Sequence, residues 1–511
     1  MGLDRANTGH RPDPNTPFAY QEDSMSCCDR HGLCQIHRRD FLRTAGLAVA
    51  GLAVGPEPLL AAVSGVPASA QAEKKGSATI RAAFLYPPTE SLKKEGYYSW
   101  PGSGFDAEGH HRDYAGRIGA MAKDLGIRLM LDEQALAGPA AANRFIQEVK
   151  QQKPDGLLLI AFKKSEWESV KRIIAETGVP TVAVATIGVL LMPHIQELRG
   201  KPGVLVISSL DNFDAIRDGM TVIRVRQWLR DAVILSIADD QPAELAVPVL
   251  GTRIRGLPMK KYLEVYKSTP ADGEVKEVAK AYLGDAKERR EPSPDDVLEA
   301  ARAHVALKRL IGEERADARM MKCLDGIAKR VIPPPCMSFM NLRDAGIVAG
   351  CQNDLDATLT MMIGQQLLGK PGFQHNPACD TTKNLYYGSH CTSPRKLEGP
   401  AGPARDYILR SHAESGIGVA PQVLWPEGMD VTIAEYVVGD KPEMLIYTGK
   451  TVSNYDTPPA GGCRTSLCAT LNEIPACDLK PEHMLHLTMW AGNHAALLRA
   501  FCQMFGITVR A

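Results

Sequence analysis

The sequence predicts an α/β protein: two consecutive doubly wound α/β domains, then a mostly β, barrel-like C-terminal domain. Three observations carry this reading. Apolar strand-like runs alternate with helical patterns from Ile80 to Thr186, the rhythm of βαβ units and a parallel sheet. A second round of alternation opens at Gly203. From residue 373 the runs shorten and turn residues multiply, as in all-β architectures. The expected boundaries are 78–202 and 203–372 for the α/β domains and 373–511 for the β domain, after a leader over 1–72.

The elements follow in order. Ile80–Tyr86 reads as a strand ending in Pro87-Pro88, and a polar, aromatic loop over 96–104 contains Tyr97, Tyr98 and Trp100. Helical patterns near Arg112–Leu125, Ala142–Gln151 and Ser165–Thr177 separate the strand runs Gly156–Phe162 and Thr181–Thr186. In the second round Gly203–Ser208 is the opening strand and Met220–Arg230 a helix. Leu245–Leu250 is an edge strand because Pro248 cannot donate to a ladder. Pro258–Tyr266 is helical, and Lys276–Glu314 is a long charged helical region broken at Pro292-Ser293-Pro294. Cys336–Asn341 and Gly346–Gly350 read as short strands. The helix after Asp354 runs to Leu368 and is stopped by Gly369-Lys370-Pro371-Gly372. Beyond it, Val431–Val438 pairs with Met444–Thr448, and Ala495–Phe505 is a final helix.

Composition narrows the partners. Apolar residues make up 44% and charged residues 23%, the mixture of a globular protein. Lys plus Arg equals Asp plus Glu at 59 each, so net charge points to neither nucleic acid nor an anionic membrane. The leader is distinctive. Arg38-Arg39-Asp40-Phe41-Leu42 precedes the uncharged run Ala45–Val54, and Ala70-Gln71-Ala72 gives a small-residue exit. This predicts a twin-arginine signal peptide cleaved after Ala72, with the twin-arginine export machinery as partner and a periplasmic or extracytoplasmic location. The bland alternative is a disordered tail with a chance Arg pair. The apolar run is far short of the roughly 20 residues of a spanning helix, so no stable membrane span is expected. Three of the twelve cysteines, Cys27, Cys28 and Cys34, fall in this leader. The nine that remain do not resemble a disulfide scaffold, and Cys463, Cys468 and Cys477 fit zinc spacings poorly.

No Gly-x-Ser-x-Gly elbow, P-loop, Gly-x-Gly-x-x-Gly or His-Glu-x-x-His occurs, which disfavours serine hydrolases, NTPases, simple dehydrogenases and zinc proteases. Chemistry concentrates instead around Gly350-Cys351-Gln352-Asn353-Asp354. A polar turn here delivers a carboxylate at the start of a helix, at the edge where α/β sheets place ligands. Asp354 is equally placed to be a plain N-cap. His390 follows an aromatic run in a loop position, open to a ligand or a structural role. Trp100 offers a face on which a sugar ring could stack, although aromatic loops also pack for their own sake.

Asn341-Leu342-Arg343-Asp344-Ala345-Gly346 running into Gln352-Asn353-Asp354, then Asn384 to His390-Cys391, then Trp490-Ala491-Gly492-Asn493-His494 before a helix, together resemble the L-fucose isomerase and L-arabinose isomerase family. The resemblance spans roughly 78–511. It implies an aldose–ketose isomerase acting on a monosaccharide or derivative through an enediol, with a divalent metal, usually Mn2+, and a homo-oligomeric assembly. On this basis Asp354 is base and metal ligand, His494 is metal ligand, and His390, Trp100 and Asn493 are substrate contacts. The family's Glu ligand is missing: no Glu occurs between Glu314 and Asp354, the matching position falls near Phe339, and Gln352 stands where many relatives have Glu. Asp325, Asp344 or Asp356 are the substitutes within reach in sequence. The alternative is a non-catalytic exported carbohydrate-binding protein with a degenerate metal site.

Overall fold

The computed structural model describes residues 77–95, 102, 104–210, 212–240, 244–456, 462–479 and 485–510. The leader, the export signal and Trp100 lie outside these described residues. Five strands make the first sheet: β1 (Thr79–Leu85), β2 (Arg128–Leu131), β3 (Gly156–Ala161), β4 (Thr181–Thr186) and β5 (Val204–Ser209). They run in the order β2-β1-β3-β4-β5, all parallel. β3 is Gly-Leu-Leu-Leu-Ile-Ala, buried throughout, as a strand covered on both faces must be. Helices Gly138–Gln152 and Trp167–Thr177 bury Phe145, Ile146, Trp167 and Ile173 against one face. Helix Asp214–Asp231 lies close on the other, because Gly219 brings no side chain against Val182. One expectation is corrected here. Val204–Ser209 closes the first sheet beside β4 and does not open the second, since an apolar run shows that a strand forms but not which neighbour it finds.

The second sheet contains β6 (Val233–Ile237), β7 (Glu244–Ala246), β8 (Arg253–Leu257), β10 (Ala318–Met321) and β11 (Val348–Cys351), in the order β11-β10-β6-β8-β7. All pairs are parallel except β7 with β8. β7 is an edge strand, but it is shorter than the expected Leu245–Leu250: it ends at Ala246, and Pro248 lies in the turn beyond it. The helical region that follows β8 breaks at the anticipated prolines: Ser293 caps Pro294–Glu313 in a reciprocal pair with Asp296. Between these lies β9 (Glu288–Arg289), which joins β14 (Tyr407–Arg410) and β15 (Ala420–Val423) in a small separate sheet. Cys336–Asn341 is a second correction. It belongs to the helix Cys336–Asp344, which is buried on nearly every side and so shows a continuous apolar run with no readable period.

The C-terminal region is a closed six-stranded antiparallel barrel. Its staves are β12 (Phe373–Asp380), β13 (Leu385–His390), β16 (Asp430–Val437), β17 (Glu443–Asn454), β18 (Thr465–Leu471) and β19 (Leu487–Ala491). Pairing runs β16-β19-β12-β13-β18-β17 and back to β16, which leaves no open edge within the ring. Phe373, Tyr386, Ile433, Leu467, Leu487 and Met489 belong to its core. β20 (Thr508–Arg510) adds to β17 in parallel.

Helix Leu355–Leu368 lies between the second sheet and the barrel, and Leu355 to Gly364 are all buried. Thr360 Oγ1 accepts the Tyr436 N–H at 2.7 Å, and Asp356 Oδ1 accepts that of Val438 at 3.2 Å. Gly364 leaves room for the buried Trp490 indole, which occupies the space a Cβ would need. Gly364→Ala therefore sets two effects against each other. Helix propensity alone would stabilise by about 1 kcal/mol. Overpacking of a fixed indole destabilises by about 1–3 kcal/mol and prevails. The expected result is a lower urea midpoint for Gly364→Ala; an unchanged or higher midpoint contradicts this packing.

Candidate functional site

The site forms where the C-terminal ends of β10 and β11 meet one end of the barrel. Gln352 and Asn353 both take left-handed backbone, with φ of 56° and 57°. That double reversal turns the chain from β11 into the helix. Asn353 is fixed by its N–H to Met321 O at 3.1 Å and by the Ser236 hydroxyl donating to its Oδ1 at 2.8 Å. Asp354 then emerges with one oxygen committed to the helix: Oδ1 accepts the Ala357 N–H at 2.9 Å. This is the N-cap role, worth about 1 kcal/mol.

The second oxygen has a different partner. Asp354 Oδ2 lies 2.8 Å from His486 Nδ1, and the two side chains are 1% and 0% exposed. His486 directly precedes β19. A carboxylate can only accept, so His486 donates from Nδ1. Among the described residues no hydrogen-bond partner reaches its Nε2. His390, at the end of β13, places its ring centroid 5.1 Å from that of His486, edge to face. Its Nδ1 lies 3.1 Å from Thr392 Oγ1. That hydroxyl also accepts from Arg343 Nη1 at 3.1 Å, and its hydrogen and second lone pair let it meet His390 Nδ1 as donor or as acceptor. Among the described residues the His390 Nε2 also has no hydrogen-bond partner. The buried wall therefore presents two imidazole rings, each with one unpartnered nitrogen. Burial holds His390 well below the ordinary histidine range, so it is neutral.

Two further links set the position of these groups. Gln374, on β12, accepts the Cys351 N–H at 2.8 Å and donates to Cys351 O at 3.1 Å. Arg343 donates to Gln374 Oε1, to Ala349 O and to Thr392 Oγ1, so one buried guanidinium ties β11 to both barrel strands.

Of the residues expected from the sequence, the structure brings Asp354 and His390 into one place. It does not bring His494 there. His494 lies beyond the far end of β19, its Nε2 on Ala491 O at 2.8 Å, beside Lys370, which follows the helix that Asp354 begins. A five-residue strand separates its two ends by roughly 17 Å, so His486 and His494 cannot both reach Asp354. Asn493 is exposed at that same far end and accepts the Ala495 N–H. Phe339 is buried under the Arg319 guanidinium. Asp344 accepts the N–H groups of Arg395 and Lys396, and Asp325 is exposed on the helix Leu324–Ala328. His486 is the residue the sequence reasoning missed. Its signal was its place immediately before an apolar five-residue strand.

The donor set bears on the expected manganese. Asp354 has both oxygens engaged, and the unpartnered groups beside it are imidazole nitrogens. Manganese prefers oxygen-rich ligation. Among the described residues no group of three or more His, Cys, Asp or Glu side chains is arranged to hold a metal ion. The residues described here do not fit manganese, and no chemical step is derived through it.

Buried neutral histidines make stability depend on pH. Burial lowers His375 to about 4 and His304 to about 3, against an ordinary value of 6.5. Below pH 6.5 the unfolded chain binds protons that the folded chain refuses, so stability present above 6.5 is lost as pH falls toward those folded values. For His375 the loss between pH 7 and pH 5 is about 2 kcal/mol. Urea midpoints should fall over this interval, and fall less in His375→Gln; equal falls in both proteins contradict the assignment.

No protein-family model matches the chain, and no curated protein matches it.

Proposed function

We propose that the chain is an exported, divergent relative of the L-fucose and L-arabinose isomerases that moves a proton between adjacent carbons of a monosaccharide or derivative. One observation carries this reading: the buried Asp354–His486 pair, whose Nε2 has no partner among the described residues, next to the ring of His390, whose Nε2 is likewise unpartnered. Aldose–ketose interconversion needs a base for a carbon-bound proton and an acid for the carbonyl oxygen. His486 Nε2 takes the proton from the carbon next to the carbonyl, and Asp354 stabilises the imidazolium that results. His390 Nε2–H protonates the carbonyl oxygen, giving an enediol. The proton on His486 exchanges with solvent, a proton then passes from His486 to the neighbouring carbon, and His390 recovers a hydroxyl proton, so the exchange closes with no net proton change. A carboxylate that fixes a histidine tautomer for such work is a recurrent arrangement. The twin-arginine leader supports an extracytoplasmic location, and the family resemblance supports a homo-oligomer.

A second reading has its own support. Asp354, His486 and His390 are 1%, 0% and 3% exposed, an enclosure that suits a binding protein holding its fold together more than a turnover site. That reading is a non-catalytic exported carbohydrate-binding protein.

An aldose panel in deuterated water separates the two. The isomerase reading expects ketose carrying solvent deuterium, persistence of turnover after dialysis against a chelator, and a fall of about 10²–10⁴ in kcat for His486→Gln. Sugar binding with no conversion and no exchange, in a protein that keeps its affinity when His486 is replaced, sinks the isomerase reading. Loss of all turnover to chelator sinks the proposed roles of the two histidines.

A further inference from the structure

The described residues contain nine free cysteines, and two of them meet at the mouth of the second sheet. Cys351 ends β11, and Cys323 follows the end of β10 by two residues. Their Sγ atoms are 3.9 Å apart, and both side chains are buried. A disulfide bond is about 2.05 Å long, so roughly 2 Å of approach would close it. β10 and β11 are hydrogen-bonded neighbours here, with Met321 opposite Cys351, so the backbones already lie side by side.

A second observation points at the same pair. Arg319 shares a face of β10 with Met321, the residue opposite Cys351, and its charge also acts on Cys323. Its side chain is fully buried and stacks on Phe339, 3.8 Å from the ring centroid. Among the described residues none of its three guanidinium nitrogens has a hydrogen-bond partner. A cation in that state is strongly disfavoured inside a protein unless an anion is supplied. A thiolate at the neighbouring pair supplies one. Low-pKa, reactive thiols occur beside such cations.

We propose that Cys323 and Cys351 form a reversible dithiol–disulfide site, poised by Arg319 and oxidised by a disulfide compound, whose closure tethers the turn that presents Asp354. When local opening of the chain lets the oxidant reach it, the Cys323 thiolate attacks one sulfur of the oxidant's disulfide and expels the other as a thiolate. Cys351, losing its proton, then attacks Cys323 in the mixed disulfide and releases the second half of the oxidant. Two S–H bonds and one external S–S bond break, one internal S–S bond forms, and two electrons pass to the oxidant, which leaves as two thiols. The hydrogen bond from Cys351 favours the Cys323 thiolate, and that thiolate in turn raises Cys351, so one proton leaves the pair readily and the second does not. Cys351 leads directly into Gln352, Asn353 and Asp354, so a bond to Cys323 fixes the start of that left-handed turn to β10. The inference does not rest on the proposed isomerase activity.

The test uses the whole chain in oxidised and reduced glutathione mixtures, quenched in acid, alkylated and mapped as peptides by mass spectrometry. The expected result is a linked Cys323–Cys351 peptide that disappears in excess reductant. Arg319→Met is expected to slow its formation about tenfold, the effect of one unit in thiolate pKa, while the charge-keeping Arg319→Lys retains the rate. Full alkylation of both cysteines after oxidation, or linkage confined to other cysteines, overturns the proposal. Equal rates in the wild type and both Arg319 variants overturn the role given to Arg319.

Discussion

Asp354 divides one carboxylate between two duties, and the rest of the structure is arranged around that division. Its first oxygen starts the helix that lies between the second sheet and the barrel. Its second holds His486 at the head of a barrel strand. A change at this one side chain therefore acts on a helix terminus, on the docking of β19 and on a histidine tautomer at once. Buried carboxylates with unsatisfied oxygens are strongly disfavoured, so neither contact is dispensable in the folded state.

The position of that carboxylate is set by neighbours that carry no chemistry of their own. Ser236 and the Met321 carbonyl hold Asn353, and Asn353 holds the turn. Gln374 and Arg343 fix the end of β11 to the barrel. These groups are buried, so each hydrogen bond is protected from competition by water and fixes the register between sheet and barrel. Helix Leu355–Leu368 transmits the same register along its length, from Asp354 at one end to Gly364 against Trp490 near the other.

Much of this was legible in the sequence, for local reasons. The helix bounds were readable because Asp354 is a capping residue and Gly369 takes the left-handed stop, both properties of single residues. The broken helical region was readable because of Pro292 and Pro294. What failed was non-local. Val204–Ser209 reads as a strand in either sheet, and only its pairing with β4 decides which. Cys336–Asp344 reads as a short apolar run because burial on all sides erases the helical period. His494 is legible because it closes a motif that stands before a helix, and His486 carries no such mark. The choice between them depends on which end of β19 faces Asp354, and that is fixed by antiparallel pairing with β12 and β16. Gln374 and Arg343 gave no signal, since polar residues at a sheet–barrel junction look like any others in a linear string.

The account stands or falls on the protonation of His486. Selective 15N labelling of histidine, with His486 assigned by difference from His486→Gln, reads the two ring nitrogens directly. The prediction is a hydrogen-bonded proton on Nδ1, donated to Asp354. A proton resting on Nε2, with Nδ1 bare, would remove both the Asp354 contact and the base it creates, and would contradict the central claim.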